Sequence, residues 1–100
     1  MHSEARQAIE EHFDCKITTS SVVTGGDINQ SFALTLSTGQ AIFVKCNARA
    51  PATMFPAEAQ GLAWLNEAHA LRIPKVHGCS KPTCSPASAF LALELLQPAP

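Results

Sequence analysis

Between Ser31 and Leu36 the chain alternates strictly, with Phe32, Leu34 and Leu36 on one side and Ser31, Ala33 and Thr35 on the other. A period of two places every apolar residue on one face of a strand, so this segment reads as a strand with a buried side. The polar link Ser37-Thr38-Gly39-Gln40 holds one glycine and leads directly into Ala41-Ile42-Phe43-Val44-Lys45-Cys46. A short link of that chemistry makes a tight turn, and the two strands it joins must pair antiparallel. The chain is therefore committed to an architecture built around an antiparallel sheet.

Ser3 to Phe13 is rich in helix formers, with Ser3 placed as N-cap and Ala5, Ala8, Ile9 and His12-Phe13 at helical spacing. Lys16 to Thr24 is almost entirely Ile, Thr, Ser and Val, which suits a half-exposed strand, and Gly25-Gly26-Asp27 breaks it. Asn47 to Ala52 is a loop, after which Thr53 caps a helix running to about Ala68, with Pro56 tolerated in the first turn. Leu71 to Pro74 turns the chain out, Lys75 to Cys79 is a short fourth strand, and Ser80 to Ser88 is a loop with two prolines. Ala89 to Leu96 is an apolar run broken only by Glu94, as in a buried fifth strand. The expected fold class is α+β, an antiparallel sheet of about five strands with one packed helix and an additional N-terminal helix, in one unit covering residues 1–100.

A composition 46% hydrophobic and 15% charged belongs to a folded domain, not a disordered segment. Seven basic residues spread from Arg6 to Lys81, with a net charge of -1, give no positive field for nucleic acid. No apolar run of about 18 residues is present to span a bilayer, and the first residues lack the apolar stretch of a signal peptide, so the reading is cytoplasmic. Cys15, Cys46, Cys79 and Cys84 are expected as reduced thiols. Cys79, Cys84 and nearby His77 lack a second ligand pair, which favours small packed side chains over zinc.

Lys45 stands at the end of an otherwise apolar strand, on the face of Ala41 and Phe43, and Glu58 shares a helical face with Met54, Leu62 and Leu65. Buried charges persist mainly as pairs, so the economical arrangement brings Lys45 and Glu58 together. A strand-end lysine can also reach water, and a glutamate near a helix start is favoured by the helix dipole in any case. Thr24-Gly25-Gly26-Asp27-Ile28-Asn29 links the first two strands, and its glycines either make a plain turn or bring backbone N–H groups up to an anion. A strand-three lysine held by a helix glutamate beneath a glycine turn is the phosphate-gripping arrangement of the kinase fold.

The segments Gly25-Gly26-Asp27-Ile28-Asn29, Phe43-Val44-Lys45, Met54-Phe55, Ala57-Glu58-Ala59, Gly61-Leu62 and Arg72-Ile73-Pro74-Lys75-Val76 resemble the N-terminal lobe of the fructosamine kinase (ketosamine kinase) family. The resemblance covers nearly the whole chain and implies a protein-kinase-like small lobe, with ATP and magnesium as cofactors and a ketosamine as substrate. By that resemblance Lys45 and Glu58 are the catalytic pair, Lys45 binding the phosphates. Gly25, Gly26, Asp27, Ile28 and Asn29 form the loop above them, Leu93 is the gatekeeper, and the backbones of Glu94 and Leu96 face adenine. Phe43 replaces the small residue that protein kinases carry two positions before the lysine, and Asp27 stands where some relatives have cysteine. The family's His-Gly-Asp motif, with its later Asn and Asp, does not occur in these residues, so the chain alone is expected to be inactive, with the catalytic lobe absent. The alternatives are an aminoglycoside- or choline-type phosphotransferase lobe, and a non-catalytic interaction domain that self-associates through an exposed lobe interface.

Overall fold

Apolar alternation sorts the strands' side chains onto two faces, and each face is covered by a different helix. The computed structural model describes residues 1–23, 29–67 and 73–95. Their order is α1 (Ser3–Phe13), β1 (Ile17–Val23), β2 (Gln30–Leu36), β3 (Ala41–Cys46), α2 (Met54–Glu67), β4 (Val76–Cys79), a 3-10 turn (Pro86–Ser88) and β5 (Phe90–Glu94). The five strands form one sheet in the order β1-β2-β3-β5-β4, and every neighbouring pair is antiparallel. The expected α+β class is what the chain adopts. The central hairpin has the register Thr35 opposite Ala41, and Gly39 supplies the left-handed φ of 91° that its turn requires.

On one face Phe32, Leu34, Leu36, Ile42, Val44, Cys46, Phe90 and Ala92 pack with Ala5 and Ile9 of α1. On the other, Leu91 and Leu93 pack with Phe55 of α2 and with Ala89. The first helix is also tied to the sheet by polar groups. Arg6 donates to the Ile17 carbonyl at 3.1 Å, and Glu10 accepts the Ile17 N–H at 2.8 Å, so the first residue of β1 has both backbone groups taken by α1. Ser3 is not the N-cap: His2 is, its Nδ1 accepting the Glu4 N–H at 3.2 Å, because Ser3 already lies in the helix. Asp14 closes the other end in the left-handed region at φ 53°, a conformation aspartate tolerates.

The second helix packs through Met54 and Leu62 of the expected stripe, but its main anchor is Phe55, one residue to the side, and Leu65 drops out. Phe55 is its one buried residue, with Ala59 and Leu62 beside it at spacings of four and seven, whereas Leu65 is 51% exposed and Trp64 65%. The helix lies mainly against β4 and β5 and meets β3 through Lys45, and its last turn leaves Trp64 and Leu65 exposed. The fifth strand starts at Phe90, one residue later than expected, because Ala89 still closes the 3-10 turn through its N–H to Pro86. Buried Ser80 seals the corner, its Oγ accepting the Phe90 N–H at 3.0 Å and donating to the Phe90 carbonyl at 3.3 Å.

Gly78 in β4 lies directly under the His12 ring, which packs edge-on against Phe13 and Phe90 at 5.0 and 5.6 Å. A Cβ at position 78 would overlap the imidazole. Gly78→Ala is therefore expected to cost about 1–3 kcal/mol in chemical denaturation through overpacking. Adding His12→Ala should recover part of that loss, and an unchanged stability for Gly78→Ala would contradict the contact. All four cysteines are free thiols. Among the described residues no group of side chains suited to a metal ion is present, and no helix is long and apolar enough to cross a membrane.

Candidate functional site

Lys45 is the next-to-last residue of β3, and the pleat that sends Ile42, Val44 and Cys46 into the α1 core turns Phe43 and Lys45 to the α2 side. Its cross-strand neighbours are Ser31 on β2 and Leu91 on β5. Glu58 lies one turn into α2, three residues after the Phe55 anchor. The two meet as the sequence pattern suggests, with Lys45 Nζ 3.5 Å from Glu58 Oε2 and side-chain exposures of 21% and 35%. That oxygen is buried and accepts no hydrogen bond, so the ammonium balances its charge from slightly beyond hydrogen-bond contact. An ammonium carries three donors, and it can serve a second anion while keeping this carboxylate.

Beside the pair opens a cleft of about 450 Å³. Phe43, Leu62, Leu93 and Leu95 give it an apolar wall, and Lys45 and Glu58 form its polar end. Size and lining are those of a site for a small molecule with one flat apolar part and one anionic part. Leu93 is 5% exposed and sits across from Phe43 in the β3–β5 ladder, so both contribute to the same wall. Glu94 is at the cleft margin and fastens β5 to the start of β4. Its N–H donates to the Lys75 carbonyl at 2.7 Å and its Oε1 accepts the Lys75 N–H at 3.3 Å. The Glu94 side chain is thus folded onto the backbone of Lys75.

Asn29 stands just before β2 and accepts a hydrogen bond from Asn47 Nδ2 at 3.0 Å. Gly25, Gly26, Asp27, Ile28 and Leu96, the other expected binding residues, lie outside the described residues. Cys46 follows Lys45 but faces the opposite core, and burial pushes its thiol from the ordinary 9.0 up to about 11. It stays protonated at neutral pH and takes no part in the polar end. Neither Asn47 nor the buried Ser31 opposite Lys45 stands out in the sequence. The only signal for Asn47 is numerical, since Asn29 and Asn47 are complementary positions of a hairpin once its register is known.

An antiparallel five-stranded sheet crossed by a helix, with a strand-three lysine ion-paired to a glutamate of that helix above an apolar cleft, defines the small lobe of a kinase-like fold. The sequence model for fructosamine kinase matches residues 1–99. The chain belongs to the fructosamine kinase family. Among solved structures it is similar to a protein from Haemophilus somnus 129PT provisionally named fructosamine-3-kinase, with a TM-score of 0.73 and 29% identity over 95% of this chain. The match covers 32% of that protein, so the chain spans about a third of its length. No curated protein matches the chain.

Proposed function

We propose that this chain is the nucleotide-gripping lobe of a kinase that transfers phosphate from ATP to a fructosamine-type substrate. The Lys45–Glu58 ion pair at the polar end of the apolar cleft carries this reading. Phosphoryl transfer is catalysed mainly by positioning and by balancing charge on the phosphate oxygens. In this role Lys45 would hold the phosphates, and Glu58 would fix where the ammonium stands. Phe43 and Leu93 would enclose the base. The donor set suits ATP phosphates. It does not by itself suit magnesium, because Glu58 is engaged by Lys45 and the His-Gly-Asp motif does not occur in these 100 residues. Metal binding, the base that activates the sugar hydroxyl and the choice of ketosamine therefore belong, on this reading, to the remainder of a whole kinase working in the cytoplasm.

Two measurements test the proposal. In an NMR titration with MgATP, the largest shifts should fall at Phe43, Lys45, Leu93 and Glu94, with weak affinity. In a phosphate-transfer assay, the 100-residue chain should not phosphorylate a fructosamine. Shifts confined to other residues would remove the nucleotide reading, and transfer by this chain alone would remove the division of labour.

A further inference from the structure

Pro74 lines the cleft from outside any helix or strand, two residues before β4 begins at Val76. A proline has no N–H, so no backbone donor of its own can hold it against a neighbouring strand. Its place in the wall is set by Lys75, the residue that follows it. Lys75 engages Glu94 through both of its backbone groups: its carbonyl accepts the Glu94 N–H at 2.7 Å, and its N–H donates to Glu94 Oε1 at 3.3 Å. Facing residues of an antiparallel ladder can exchange two backbone bonds. Here the carboxylate supplies the second contact, one step beyond the last β4–β5 pair, Val76 with Leu93.

Glu94 also pairs with Ile42 of β3, so Ile42, Glu94 and Lys75 form one row across three strands. Lys45 stands three residues further along β3 than Ile42, about 10 Å at the rise of a strand. The contact with Lys75 is therefore well removed from the Lys45–Glu58 ion pair. A ligand whose phosphates are gripped by Lys45 would meet Pro74 with its apolar part.

We propose that Glu94 is a positioning residue for the base of the nucleotide, its carboxylate holding Pro74, through the Lys75 backbone, as a wall of the apolar part of the cleft. This rests on the nucleotide reading of the cleft. The role needs no contact between the Glu94 side chain and nucleotide, and it depends on the reach of the side-chain oxygen, not on its charge.

Affinities for MgATP and for magnesium triphosphate, a ligand with no base, separate the two parts of the cleft, and urea denaturation of every variant shows which are folded. Glu94→Gln keeps an acceptor oxygen at the same reach and should bind both ligands as wild type does. Glu94→Asp keeps the charge but is one methylene shorter. It should bind MgATP about three- to tenfold more weakly, the worth of one hydrogen bond, with magnesium triphosphate unchanged. Pro74→Ala should show the same selective loss, and adding Glu94→Asp to it should cost nothing more, because the two residues act as a unit. Wild-type MgATP affinity in Glu94→Asp, an equal loss in Glu94→Gln, equal losses for both ligands, or losses that multiply in the double variant overturns the role of Glu94. If Glu94→Asp does not fold, Pro74→Ala decides: a selective loss supports the wall, and wild-type MgATP affinity overturns it. Lys45→Ala separates the levels, since it should weaken the binding of both ligands. If it does so while Glu94→Asp binds MgATP normally, only the role of Glu94 falls. If wild type does not bind MgATP, or Lys45→Ala binds it as well as wild type, the nucleotide reading falls and the role of Glu94 falls with it.

Discussion

Lys45→Ala is expected to weaken MgATP binding by roughly 30- to 100-fold, about 2–3 kcal/mol, the cost of removing one partner from a desolvated charge contact. The figure sits at the low end of that class because the lysine side chain is 21% exposed. The same change should lower stability by about 1–2 kcal/mol, since Glu58 Oε2 is buried without a hydrogen bond and the ammonium is what balances it. Glu58→Gln should behave differently. It leaves the cation in place but no longer holds it, so affinity should drop by only about fivefold and stability should hardly change. Lys45→Met combined with Glu58→Leu should abolish binding yet match or exceed wild-type stability, as apolar replacements of buried ion pairs often do. Calorimetric titration and urea denaturation read both quantities. Wild-type affinity in Lys45→Ala would be fatal to the assignment of the cleft.

Phe55→Ala should be the most destabilising single change in α2, at about 3–5 kcal/mol. Phe55 is 1% exposed and is the one buried residue that helix has, wedged against Leu91, Leu93 and Ala89. A loss of that size is a large share of the whole stability of a small domain. It should also reach the cleft, because Glu58 is carried on the next turn of the helix that Phe55 anchors. Under conditions where the variant remains folded, its MgATP affinity is expected to fall with no change to any cleft residue. Phe55→Leu, which keeps most of the volume, should cost about 1.5 kcal/mol or less. A Phe55→Ala variant as stable as wild type in urea would mean that α2 is held by some other contact.

The parts of the fold visible in the sequence are those written in local patterns. Alternation in Ser31–Leu36 and the glycine-bearing link after it determine a hairpin, and that hairpin's pleat decides that Phe43 and Lys45 share a face. The ion pair was legible because two charges on apolar stripes each need a partner. The face of α2 was legible in part: Met54, Glu58 and Leu62 lie where the helical period suggests, whereas Phe55 as the anchor was not, because it lies one residue to the side of that stripe. The sheet's support, mainly from β4 and β5, ends before the last turn and leaves Leu65 in solvent. The position of β5 between β3 and β4 is likewise non-local, and no residue in either strand announces it. Asn47 looks like an ordinary loop residue until the register sets it opposite Asn29.

The fifth strand takes an interior place in the sheet: β5 ends at Glu94, yet it separates β3 from β4 and supplies Leu91 and Leu93, on which Phe55 rests. A growing polypeptide can therefore complete its first helix and its first three strands early, but it cannot seat the second helix. Until residue 94 leaves the ribosome, β3 keeps an unpaired edge and Phe55 lacks its platform. That edge is the stretch at which a nascent chain of this type is most open to wrong pairing or to a chaperone.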